Sequence, residues 1–355
     1  MAFIALPARA ADWGRGVALY NRSDYRAALA EFQDLARERP DIAGAWYYIG
    51  LCEFRLKRYK RVERPLARAL DLLEIQSPSS PDIAGAWYTI GFSHYLSSEY
   101  EKAIEPLKKY MDITAKASRT PDPGARTALG RSYFFLERYD EAMPLLAASG
   151  AAAEQSKESA SNFYYVGVIH FKREEDERAI AALREAVKAN PDEPAALELL
   201  SESLMRKARK AGPGAASNGL WAEAIEAGEK LSSLRDDQKS AGILGRAYLG
   251  AGQFEKAVAP LEKIAKANTD NGQAWLFYGI ALSRSGQMRK AMEALEITIQ
   301  LVPDSVPALS ELAFVYESDK QYQQALRIYE RAYAATNDPA IKESIERVRA
   351  LAAQP

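Results

Sequence analysis

An eleven-residue stretch occurs twice in this chain, as Pro40-Asp41-Ile42-Ala43-Gly44-Ala45-Trp46-Tyr47-Tyr48-Ile49-Gly50 and as Pro81-Asp82-Ile83-Ala84-Gly85-Ala86-Trp87-Tyr88-Thr89-Ile90-Gly91. Only Tyr48 against Thr89 differs, at an offset of 41 positions. Self-similarity at a period of some tens of residues marks a repeat architecture, whose elements bury their apolar faces only by stacking on their neighbours. No total over the whole chain constrains the fold as strongly.

Composition agrees with one extended array. The 355 residues would suffice for two or three ordinary domains, yet no change of texture marks a switch of fold. Alanine is abundant and Val-Ile-Thr alternation nearly absent, which favours helices over strands. A formal net charge of −1 weighs against a dedicated nucleic-acid binder, which needs concentrated Lys and Arg. The single cysteine, Cys52, excludes an intramolecular disulfide and any multi-cysteine metal site. No apolar run reaches the roughly 18 residues of a membrane span.

At the N-terminus, Ala2-Phe3-Ile4-Ala5-Leu6-Pro7-Ala8-Arg9-Ala10-Ala11 resembles the end of a secretory signal, with a short apolar segment before an Ala-x-Ala site but no basic leader. Residues 1–8 are therefore expected to be a signal-peptide remnant or a frayed helix entry. The first alternative places the protein in a bacterial periplasm or envelope, the second in the cytoplasm.

The repeats align when each is numbered so that the tryptophan of the duplicated stretch is place 4. Gly at place 8 and Ala at place 20 let two helices cross closely, large residues at places 4, 7, 11 and 24 fill the space around the crossing, and Pro at 32 ends the second helix. The first repeat carries Gly16, Leu19, Tyr25, Ala28, Phe32 and Pro40; the second carries Trp46, Gly50, Tyr59 and Leu66, with Val62 where Ala is usual. Val62 is expected to push its two helices apart. Later repeats carry Gly91, Ala103 and Leu107; Gly130, Ala142 and Leu146; Gly167, Ala179 and Leu183; Gly245, Ala257 and Leu261; Gly279, Ala291 and Leu295; and Leu309, Tyr316, Ala325 and Tyr329.

These residues resemble the tetratricopeptide repeat superfamily over nearly the whole chain. The resemblance implies an all-α, right-handed α-solenoid of about nine helix-turn-helix repeats. Residues 9–205 form an N-terminal sub-array and 220–337 a C-terminal one, while the segment 206–219, with Ala211-Gly212-Pro213-Gly214, is expected to be an enlarged inter-helix loop and hinge. Residues 338–353 read as an amphipathic capping helix, with Asp338 as N-cap and Pro339 in the first turn.

Catalytic candidates are few. His94 and His170 both occupy place 11 of their repeats, where an aromatic or Leu normally fills the hairpin, so each reads as a structural histidine. Cys52 reads as a small buried apolar residue. No enzyme activity, cofactor or metal is expected. Two basic runs, Arg55, Lys57, Arg58, Lys60, Arg61 and Arg64, and Arg206, Lys207, Arg209 and Lys210, read as solvated turns, with anionic lipid or an acidic partner as the sharper alternative.

In arrays of this family the first helices line a concave surface, and carrying those places over gives a candidate groove. It comprises Tyr47, Tyr48, Leu51, Phe54, Arg55, Tyr88, Phe92, Tyr95, Arg131, Phe134, Tyr164, Tyr165, Val168, Phe171 and Lys172. Aromatic rows with a few cations suit an extended peptide; the competing reading packs these rings between neighbouring first helices. The carboxylate clamp of chaperone adaptors is not expected, because Tyr47, Leu51, Thr89 and Gly124 stand where its ligands would be. The expected function is a non-enzymatic scaffold that binds a protein or peptide segment, in envelope or secretion machinery. The alternative is a cytosolic adaptor or self-assembling scaffold that uses its convex or terminal surfaces.

Overall fold

The computed structural model describes residues 12–152 and 156–353, with side chains described at all of these but 150–152. Residues 1–8, assigned above to a signal remnant or frayed entry, lie outside the described residues. Among the described residues there are 19 α-helices and one 3-10 turn, without a strand. They fall into two compact units, the first ending at Ile169 and the second beginning at His170. The sequence had placed its division at 206–219, which lies inside the second unit.

The first unit contains α1 (Trp13–Asn21), α2 (Tyr25–Glu38), α3 (Ala43–Arg55), α4 (Glu63–Gln76), α5 (Pro81–Leu96), α6 (Tyr100–Lys116), α7 (Pro123–Phe135), α8 (Tyr139–Ala152) and all but the last turn of α9 (Lys157–Lys172). Successive helices form hairpins. Where the place-8 glycine meets the place-24 side chain, nothing larger fits: a Cβ on Gly50 would lie 2.4 Å from Leu66 Cγ, and one on Gly91 would lie 2.7 Å from Leu107 Cγ. Place-20 alanines Ala28, Ala103 and Ala142 are fully buried at the same crossings.

Val62 is also fully buried. In its repeat a 3-10 turn, Tyr59–Arg61, stands where the other repeats begin an α-helix, so α4 starts only at Glu63.

The duplicated stretch folds in two ways. Asp41 is held outside α3 by Arg39, whose Nε and Nη2 each donate to it at 3.2 Å, and α3 begins without a side-chain cap. Its counterpart Asp82 lies within α5, because Ser80 accepts a hydrogen bond from the Asp82 amide at 3.2 Å and Pro81 takes the first helical position. Two segments that differ at one residue therefore start their helices differently, and the residues just upstream decide.

The second unit contains α10 (Asp176–Ala189), α11 (Pro194–Ala211), α12 (Ala215–Leu234), α13 (Gln238–Gly250), α14 (Phe254–Ala267), α15 (Gly272–Arg284), α16 (Met288–Leu301), α17 (Val306–Ser318), α18 (Tyr322–Thr336) and α19 (Pro339–Ala352). The enlarged loop expected at 206–219 is absent: α11 runs through Ala211, α12 opens at Ala215, and only residues 212–214 separate them. The reason is electrostatic. Arg206 and Lys210 both bond the buried Asp176 at the start of α10, Lys210 at 2.7 Å, and Lys207 pairs with Glu177 at 3.3 Å. These pairs draw the basic run into an extended helix. Burial works against the Asp176 carboxylate, but the hydrogen bonds from Lys210 and Arg206 outweigh it and hold its pKa below the usual value. At the far end, α19 buries Ile341, Ile345 and Val348 against Leu309, Tyr329 and Ala332, as a capping helix should.

Eight hairpin turns, four in each unit, are closed alike. Place 15 adopts left-handed backbone in all of them, at Ser23, Lys57, Ser98, Glu137, Glu174, Gly252, Gly286 and Lys320, with φ from 58° to 81°. The following amide donates to the place-11 carbonyl, as from Glu99 to His94 at 2.9 Å, which is the Schellman closure. Six of the eight are not glycine, so the flanking helices and not local preference impose the turn.

Candidate interaction surface

Thirteen of the fifteen residues of the candidate groove belong to the first unit, and Phe171 and Lys172 to the second. Within the first unit they separate into two ring clusters. Tyr48 stacks on Phe32 with centroids 4.8 Å apart and meets Trp13 and Tyr20 edge-on at 5.5 and 5.2 Å. Tyr47 meets Tyr48 at 5.9 Å, and its hydroxyl lies 2.4 Å from where a Cβ on Gly85 would be. Leu51 is half-buried and Arg55 exposed, with its Nε donating to the Tyr20 hydroxyl at 3.5 Å.

The second cluster is continuous from Phe54 to Tyr164. Phe54 meets Phe92 at 6.4 Å, Phe92 stacks on Tyr88 at 5.4 Å and meets Tyr95 at 5.8 Å, and Tyr95 meets Tyr100 at 6.2 Å. Tyr100 stacks on Phe135 at 4.6 Å, Phe135 meets Tyr165 at 5.8 Å, and Tyr165 meets Tyr164 at 5.6 Å. Rings at these separations attract one another beyond their buried area.

Tyr47 and Tyr88 occupy the same place in successive repeats, and each reaches over the place-2 glycine of the next, Gly85 and Gly124. Burial pushes the pKa of both phenols up to about 12. These two rings fill space between neighbouring first helices, as the competing reading of the sequence held.

Arg131 is built differently. Its Nε and Nη2 donate to Asn162 Oδ1 at 3.1 and 2.9 Å, its Nη1 donates to the Tyr95 hydroxyl at 3.5 Å, and its guanidinium lies 5.4 Å from the Tyr165 ring centroid. Asn162 is fully buried and is itself fixed by donating to Thr127 Oγ1 at 3.0 Å. Arg131 has no acidic partner among the described residues, whereas Arg184, Arg206, Arg246, Arg284 and Arg347 each pair with a carboxylate. Nothing in the repeat pattern signals Asn162, since place 3 has no fixed residue type. Phe135 and Tyr100 were findable, at place 13 and at the start of a second helix, but were not assigned to the surface.

The remaining reactive groups are internally engaged. His94 Nδ1 lies 2.8 Å from Glu99 Oε2 and His170 Nδ1 lies 2.6 Å from Glu175 Oε2, one carboxylate five residues beyond each imidazole. Both histidines are buried, and both glutamates have lowered pKa values because of these bonds. Cys52 is fully buried, and burial pushes its thiol up to about 12. Among the described residues no group of three or more His, Cys, Asp or Glu is placed to hold a metal, and no helix is long and apolar enough to cross a membrane.

The place-8 to place-24 lock recurs in the second unit, between Gly245 and Leu261 and between Gly279 and Leu295. Family models described as tetratricopeptide repeat match residues 13–81, 127–194 and 167–237, then 248–313, then 308–343. The chain belongs to the tetratricopeptide repeat superfamily. Among curated proteins, this tetratricopeptide repeat chain is similar to DnaJ homolog subfamily C member 3 of Gallus gallus, at 23% identity over 209 residues. That match spans 58% of this chain and 35% of the relative. Among solved structures it is similar to MamA, at 23% identity and a TM-score of 0.43, covering 51% of this chain and 93% of that one. It is also similar to YrrB, described as a TPR protein with an unusual peptide-binding site, at 15% identity and a TM-score of 0.47, covering 57% and 97%. The C-terminal part of a TPR repeat-containing protein from Cytophaga hutchinsonii matches at 18% identity and a TM-score of 0.48, covering 72% and 98%.

Proposed function

We propose that this protein is a non-enzymatic scaffold that binds a protein or peptide segment along the first-helix face of its first unit. The observation that carries this reading is Arg131. A half-buried guanidinium fixed by neutral partners, beside Tyr95 and Tyr165, retains its full charge for an incoming anionic or carbonyl group. The rings from Phe92 to Tyr164 supply the apolar neighbourhood in which such a contact gains strength. The proposed setting is the assembly of bacterial envelope machinery, a reading that rests on the signal-like stretch Ala2–Ala11 alone.

The test is a quantitative pull-down from envelope and soluble fractions of the source cell, with wild type, Arg131→Gln and Arg246→Gln side by side. Arg246 pairs with Glu202 at 3.2 Å in the second unit and controls for the loss of an arginine. A partner recovered by wild type and Arg246→Gln but depleted about tenfold with Arg131→Gln supports the reading. Equal recovery by all three overturns it. Substituting Tyr47 or Tyr88 would be a poorer test, because their loss opens the packing over Gly85 and Gly124.

A further inference from the structure

The two basic runs have opposite fates. The run at 206–210 is neutralised by Asp176 and Glu177, as described above. In the run at 55–64, Lys57, Lys60, Arg61 and Arg64 make no ion pair among the described residues, and Arg58 reaches only Glu53, at 3.5 Å. Lys57, Arg58, Tyr59, Lys60 and Arg61 line a pocket of about 500 Å³ together with Leu96 and Ser97 from the next turn. Leu96 is a large apolar side chain left 41% exposed there.

This turn carries more positive charge than the other hairpin turns. Its left-handed place is a lysine, as at Lys320, with φ of 58°. The next place holds an acid at Asp24, Glu99 and Glu175 and a glutamine at Gln253, Gln287 and Gln321, but is Arg58 here; at the other arginine on this place, Arg138, Glu141 supplies a bond at 2.8 Å. The 3-10 turn before α4 then brings Lys60 and Arg61 at the places where α6, α8, α10 and α14 bring acids, and α4 itself opens on Glu63. Unpaired charge of one sign concentrated on one turn raises the local potential and attracts a partner of the opposite sign.

We propose that this turn is a docking surface for an acidic protein segment carrying an apolar residue, its carboxylates meeting Lys57, Lys60 and Arg61 and its apolar side chain meeting Leu96. An exposed leucine from the next turn set beside these cations fits a peptide in which apolar and acidic residues lie side by side. Tyr59 joins the surface to the ring face through Phe54, 5.7 Å away, but the surface does not use Arg131, so it stands whether or not Arg131 binds a partner.

The full chain is titrated into the fluorescein-labelled peptide Glu-Glu-Leu-Glu-Glu-Leu-Glu-Glu and its all-Gln counterpart, followed by anisotropy at about 20 and about 300 mM salt. Wild type should bind the acidic peptide in a salt-dependent way and ignore the Gln peptide. The double variant Lys57→Gly, Lys60→Glu should bind about tenfold more weakly yet show unchanged or slower hydrogen exchange in α3 and α4, because the glycine relieves the left-handed lysine and the fold is kept. A variant of altered charge away from the pocket, Arg119→Glu, Arg289→Glu, Lys342→Glu, should keep at least half the affinity that the double variant loses. Equal binding by wild type and the double variant overturns the proposal. So does absence of peptide binding, including the case in which phosphatidylserine vesicles are captured instead.

Discussion

Replacing Gly91 with Ala tests the hairpin lock most directly. The new Cβ would sit 2.7 Å from Leu107 Cγ, 3.1 Å from Leu107 Cδ2 and 3.0 Å from the Leu107 backbone nitrogen. The side-chain contacts can relax by rotation, but the backbone contact requires α5 and α6 to separate. Overpacking of this kind costs about 1 to 3 kcal/mol, and the helix gains about 0.5 to 1 kcal/mol from the exchange of glycine for alanine, so the net loss is up to about 2.5 kcal/mol. Gly228→Ala in α12 is the control: its nearest foreign atom is Leu244 Cα at 3.4 Å, an ordinary contact, so only the helix gain of up to about 1 kcal/mol remains. Repeat arrays need not melt as one cooperative block, so the assay is amide hydrogen exchange resolved to single helices. Exchange should accelerate in α5 and α6 for Gly91→Ala and stay equal or slow in α12 and α13 for Gly228→Ala. Unchanged exchange in α5, or an equal loss at both sites, would refute the close-crossing argument.

Further outcomes can be checked together. Glu137→Gly should raise stability by about 0.5 to 1 kcal/mol by removing a side chain from a left-handed turn position, read as slower exchange in α7 and α8. Asp237, held down to about pKa 2 by the Ser240 amide and then by Arg235, contributes stability that is present above the ordinary carboxylate pKa and lost as pH falls from about 4 to about 2. Urea titrations of wild type and Asp237→Asn across that window should show a shallower pH slope in the variant. Cys52 should resist a thiol-reactive dye in native buffer and label only in denaturant, as a buried thiol with a pKa near 12 requires.

Much of this fold was legible because its contacts are short-range in sequence. The glycine at place 8 and the leucine at place 24 lie in one hairpin, so a single spacing predicts their meeting, and the alanine between them marks the crossing. The capping helix was legible for a like reason, since Asp338, Pro339 and the apolar stripe are local signals. The segment at 206–219 was misread because glycine and proline are also local signals, while the acids that drew Arg206 and Lys210 into helix lie about thirty positions upstream. The ring face was half legible. Aromatic identity and place were readable, but whether a ring points at a ligand or over the next repeat's glycine depends on the stacking of two hairpins. That Arg131 keeps its charge unpaired could not be read at all, because it depends on which of many acids come near.

The eleven-residue copy bears on how the chain came to its length. In the helix packing described within each unit, contacts run to the next one or two helices along the chain. Adding or removing one whole hairpin would therefore leave every other hairpin's neighbours of the same type. Duplication of a segment is then an event the architecture tolerates, and Pro40–Gly50 and Pro81–Gly91 are the pattern such an event leaves behind. Their different helix starts, one set by Arg39 and the other by Ser80, show the copies already diverging in structure through flanking residues while their own sequences remain almost the same.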